Sequence, residues 1–104
     1  MAEFRTIDIY EKSSRVASAA KPYLTGMGAF AEPVDAEERV SGGYVDAIEA
    51  IEFRIPRTPV TARIRAGFLV RRKDIDGTTD VEYTVQRTEV DPQYVILFTA
   101  RTEQ

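Results

Sequence analysis

The chain has no cysteine, no histidine and no tryptophan among its 104 residues. Without cysteine there is no thiol nucleophile, no disulfide and no thiolate zinc site, a composition that suits a reducing compartment. Without histidine it lacks the usual general base near neutral pH and the commonest metal ligand. No stretch reaches the ~20 apolar residues that a spanning helix needs. The opening Met1-Ala2-Glu3-Phe4-Arg5 has no basic region followed by an apolar run, so no signal peptide is expected. Phosphate-cradling glycine loops, a G-x-S-x-G elbow and paired metal ligands are missing as well. The carboxylates nearest to a chelating arrangement are Glu37-Glu38 and the Asp74/Asp76 pair. Hairpin-turn chemistry accounts for Asp74 and Asp76 better than a cation does. The expectation is a protein that is not an enzyme and carries no cofactor or metal.

What the chain does have is charge in blocks. Residues 54–73 hold Arg54, Arg57, Arg63, Arg65, Arg71, Arg72 and Lys73 and no acid. Residues 32–52 hold Glu32, Asp35, Glu37, Glu38, Asp46, Glu49 and Glu52 against Arg39 alone. The net charge of −3 excludes a general nucleic-acid glue, so the layout matters rather than the sum. Opposite blocks either pair within the fold or bind the opposite block of another copy.

The length predicts one domain over residues 1–104, large enough to bury a core unaided. Ile7 and Ile9 in residues 6–11 alternate as in a strand. Residues 13–24 are ambiguous, with one or two helical turns before Pro22 as one reading. Gly26 and Gly28 mark a turn, and residues 28–34 form a short strand with Phe30 inward and Pro33 at its end. Residues 35–43 read as a polar loop. Ile51, Phe53 and Ile55 alternate with Glu52 and Arg54, the period of a half-buried strand, which Pro56 and Pro59 stop. Residues 61–65 alternate around Ala62 and Ile64, and residues 68–70 resume after Gly67. Asp76-Gly77 makes a hairpin turn. Val81, Tyr83 and Val85 alternate next. Asp91-Pro92 turns the chain, and residues 94–100 close it as a β-prone run. Six or so short strands with at most a short helix give an all-β class, a small antiparallel β-barrel or sandwich with one long loop.

If Arg63, Arg65 and Arg71 share a strand face they form a stripe fit for a polyanion. The alternative is a solvated face cross-paired with Glu49, Glu52 or Glu82 on neighbouring strands. Phe53, Phe68, Tyr83 and Phe98 fall mostly in the apolar phase of their strands, as core residues rather than base-stacking platforms.

The order of the segments carries a resemblance. Phe30-Ala31-Glu32-Pro33-Val34 is followed by Glu37-Glu38 and then by the strand Ala50-Ile51-Glu52-Phe53-Arg54-Ile55-Pro56. Val60-Thr61-Ala62-Arg63-Ile64, a Tyr83-Thr84-Val85 strand and an apolar strand ending in Ala100-Arg101 complete it. Over residues 7–101 this resembles the head-tail joining (head-closure, or stopper) proteins of long-tailed bacteriophages. The resemblance implies a structural virion protein made in the bacterial host cytoplasm and placed at the head-tail interface. It implies partners: copies of itself in a ring, a portal or adaptor above, a tail terminator or tail tube below, and genomic DNA in the channel. A channel loop would correspond to residues 34–47, with Asp35, Glu37, Glu38, Arg39, Gly42 and Gly43. In a ring, Asp46, Glu49 and Glu52 would face Arg63, Arg65 or Arg71 of the neighbouring subunit, or alternatively some of these arginines would face the channel DNA. A tail terminator or another neck protein is the nearest alternative. A small barrel that binds single-stranded nucleic acid is the alternative from another class.

Overall fold

Alternating apolar residues build strands whose inward faces meet, and here they meet by closing on themselves. The computed structural model describes residues 3–11, 21–34, 47–73 and 80–102. They form β1 (Glu3–Glu11), β2 (Lys21–Pro33), β3 (Ala47–Pro56), β4 (Leu69–Lys73), β5 (Asp80–Val90) and β6 (Tyr94–Thr102). All neighbouring pairs are antiparallel, and the order β1-β2-β3-β6-β5-β4 closes into a barrel when β4 pairs with β1. Closure leaves no open edge, which suits a small all-β chain. The expected all-β class is thus a closed barrel rather than a sandwich.

The alternation anticipated for β1, β3, β5 and β6 holds. Ile7 and Ile9, Ile51, Phe53 and Ile55, Tyr83 and Val85, and Val95 and Leu97 all point inward and are buried. Phe53 and Tyr83 meet edge to face, centroids 5.7 Å apart, and fill the middle of the barrel. Thr99 lies on the same face, its hydroxyl donating to the Ile51 carbonyl at 2.8 Å, so a buried polar group costs little. On the outer face of the same wall Val34, Ala50, Phe98 and Ala100 make a second, smaller cluster. This explains why β6 is apolar in both phases. The Asp91-Pro92 turn stands as expected, with the Asp91 amide donating to the Tyr94 carbonyl and the Gln93 amide to Asp91 Oδ1.

Three expectations are corrected. Gly26 and Gly28 do not turn the chain; both lie within β2. Three steps of β2 from Leu24 to Met27 are matched by two steps of β1 from Ile7 to Ile9, a β-bulge. Gly26 takes the bulge's positive φ of 67°, and its amide is held by Asp8 Oδ1 at 2.8 Å. Beyond the bulge Ala29 and Ala31 face inward and Phe30 faces outward, 51% exposed. Ala31 stands opposite Phe53, a small residue across from a large one.

The third correction concerns residues 61–65, which are not a strand. Thr61–Arg63 is a 3₁₀ turn in the connection from β3 to β4. Those strands are not neighbours, so the connection crosses one end of the barrel. Thr61 and Ile64, rather than Ala62 and Ile64, are its buried residues. The Thr61 hydroxyl donates to the Pro56 carbonyl at 2.8 Å and accepts from the Thr58 amide at 2.7 Å. Tyr23 donates to the Val60 carbonyl and stacks edge to face on Phe68. The connection is the barrel's plug.

Candidate functional site

The two candidate regions are the two ends of the barrel and the charges around them. At the plugged end Ile64 points into the core, and Arg63 and Arg65 on either side of it are exposed. Arg57, just beyond β3, is exposed too, and its amide donates to the Gln93 carbonyl of the β5–β6 turn. None of these three arginines makes an ion pair with a described residue. They are three exposed cations, two of them flanking the buried Ile64.

At the other end the charges pair. The Tyr83 hydroxyl, on a side chain only 1% exposed, donates to Glu49 Oε1 at 2.7 Å. It accepts from Arg72 Nε and Nη2 at 3.2 and 3.0 Å. Arg101 Nε adds a contact to Glu49 Oε1 at 3.3 Å. Burial, and then the hydrogen bond to the Glu49 carboxylate, push the Tyr83 phenol up to about 12, outweighing Arg72. The phenol is therefore a fixed neutral donor, not a proton-transfer group. Beside this network a cavity of about 140 Å³ opens between β1, β2 and β3. Its floor is Ala31, Pro33 and Ile51, and its rim carries Glu3, Arg5, Glu49 and Arg72. The rim charges are already engaged, Arg5 with Glu3 and Arg72 with Tyr83 and Glu49.

The residues expected at a subunit interface thus separate. Arg71 on β4 donates to Glu82 across β5 at 2.7 Å and stacks on the Tyr10 ring at 4.5 Å. That hydrogen bond raises its pKa, partial burial opposing it. Glu49 is taken up by Tyr83, Arg72 and Arg101. Arg63 and Arg65 lie off the strands, so no stripe with Arg71 exists. Glu52 lies on the outer face of β3, opposite Glu32 on β2 and Phe98 on β6. Asp46 and the channel-loop residues Asp35, Glu37, Glu38, Arg39, Gly42 and Gly43 lie outside the described residues, as does the Asp76-Gly77 turn.

Sequence reading missed the Glu49–Tyr83–Arg72 network, although its signal was present. A tyrosine in the inward phase of a strand must find a partner for its hydroxyl. It also missed the outward pair Phe4 and Phe30, whose rings meet edge to face at 5.6 Å. Phe4 is 65% exposed, and its ring covers the Gly28 backbone so closely that a Cβ there would lie 2.8 Å from Phe4 Cζ.

Among the described residues no group of three or more acidic side chains is placed to hold a metal ion. No helix among them is long and apolar enough to cross a membrane. Comparison of the chain with protein-family models, curated proteins and solved structures finds no match.

Proposed function

We propose that this chain is a structural neck protein of a long-tailed bacteriophage, a head-closure subunit that forms a ring with its own copies. The ring sits between portal or adaptor and tail and helps close the DNA channel. One observation carries the reading. Three of the segments on which the resemblance rests lie side by side as β2, β3 and β6, with Ala31 opposite Phe53 and Phe53 opposite Leu97, and the Tyr83-Thr84-Val85 strand β5 adjoins β6. Four strands of the pattern thus form one continuous wall, while residues 60–64 cross the barrel end and Glu37-Glu38 lie outside the described residues. The reading needs no catalysis. The unpaired Arg57, Arg63 and Arg65 suit electrostatic contact with a neighbouring subunit or with channel DNA. A tail terminator is the nearest alternative within the class.

The same arginines favour a second reading, a small barrel that binds single-stranded nucleic acid. It requires binding by the isolated domain that falls steeply with salt.

Loss of the protein during phage assembly separates the readings. The neck role predicts filled heads that lose their DNA and carry no tails, rescued by supplying the wild-type chain. Rescue by Arg63→Glu/Arg65→Glu with stable rings but leaking genome would place these arginines at the channel. Failure of ring assembly would place them between subunits. Normal tailed particles without the protein would overturn the neck reading.

A further inference from the structure

The outer wall of β1, β2 and β3 carries a row that the fold itself does not need to expose. Phe4 stands opposite Phe30, and Phe30 opposite Arg54. Both phenylalanines are more than half exposed. In the next row Glu32 stands opposite Glu52, two carboxylates across neighbouring strands. Glu32 is exposed and makes no ion pair with a described residue. A shallow cleft between Phe30, Glu32, Glu52, Arg54 and Ile96 joins the two rows.

Exposed aromatics beside a phosphate chain act as stacking platforms, but here Glu32 and Glu52 in the next row oppose a polyanion, and the one cation of the row, Arg54, lies over the Tyr94 ring. A cation fits instead. A guanidinium can lie on an aromatic face and reach a carboxylate at once. The chain supplies such cations at its own plugged end, where Arg57, Arg63 and Arg65 are exposed and make no ion pair with a described residue.

We infer that the Phe4–Phe30 wall with Glu32 receives the Arg57/Arg63/Arg65 end of a second copy of this chain. The contact is heterologous, one surface of a subunit against a different surface of the next, and so propagates into a ring or a stack. The inference rests on the ring-forming reading above and changes its residues. Glu49 and Arg71 are occupied inside the subunit, and Glu32, Phe4 and Phe30 take the acceptor side.

The absence of cysteine allows a direct test with the full chain. Thr6→Cys, beside the aromatic pair, is mixed with Ala62→Cys, beside Arg63, under mild oxidation; Thr6→Cys with Gln86→Cys is the control. The mixed 6–62 dimer should exceed the 6–86 dimer several-fold and fall at high salt. Adding Glu32→Lys to the first partner, or Arg63→Glu/Arg65→Glu to the second, should remove the excess. Both together should restore it, with thermal melts confirming that each variant is folded. Equal yields for the two mixtures, or an excess indifferent to charge reversal, would overturn the contact. So would an oligodeoxynucleotide that binds the Phe4–Phe30 wall while the mixed dimer stays at the control level. If that excess is missing although the protein sits at the neck of particles, this contact fails and the neck reading stands. An excess from a chain that particles lack leaves the contact standing and removes the neck.

Discussion

The two ends of this barrel are closed by different physics. One is closed by the chain itself: the β3–β4 connection crosses it, burying Ile64 and tying the Thr61 hydroxyl to Pro56 and Thr58. Its arginines are left over and face outward. The other is closed by side chains, with Glu49, Tyr83, Arg72 and Arg101 satisfying one another beside a cavity. Charge that is paired within a subunit has little left for a partner, whereas charge stranded by a buried neighbour is available. The basic block, uniform in sequence, therefore divides: Arg71 and Arg72 serve the fold, and Arg57, Arg63 and Arg65 are exposed with no ion pair to a described residue.

Substitutions at each end should behave accordingly. Ile64→Ala empties a core position at the plugged end and should cost about 2–4 kcal/mol in urea unfolding, the largest effect. Glu49→Ala removes the acceptor of the Tyr83 hydroxyl and the partner of Arg72 at the other end. It should cost about 1–3 kcal/mol. Loss comparable to that of Arg101→Ala alone would mean that the network is not a closure.

Tyr83→Phe should cost about 1 kcal/mol at neutral pH. Its sharper signature is alkaline. The fold favours the neutral phenol, so the stability it contributes is complete below pH 10 and is lost as pH rises from 10 to about 12. A loss on the order of 2 kcal/mol across that window should be seen in the wild type and be absent in Tyr83→Phe. Ultraviolet titration of the phenolates alongside unfolding curves would check it. The smallest stability effect is expected from Arg63→Ala/Arg65→Ala, within about 0.5 kcal/mol, because both side chains are exposed and neither makes an ion pair with a described residue. A marked loss there would erase the contrast between the ends.

Strand identity was legible wherever a single alternation ran uninterrupted, as in Ile51-Glu52-Phe53-Arg54-Ile55 and Val81 to Val85. It failed where one residue changes the phase. The bulge at Gly26 carries the same signal as a turn, because both want a positive φ, and the face taken by Phe30 follows from how the chain passes that bulge. Residues 61–65 alternate well enough for a strand, but five residues cannot reveal that their ends must span a barrel mouth. Of the interface expected from the charge blocks, Arg63 and Arg65 are exposed and make no ion pair with a described residue. Which arginines the fold consumes depends on cross-strand register, as in Arg71 opposite Glu82, and register is not written in composition.

The central claim is a place in a virion, and immunogold electron microscopy of purified phage particles with antibody against this domain tests it most directly. The account predicts label at the junction of head and tail. Label absent from intact and tail-less particles, with the protein left in the soluble fraction, would contradict it.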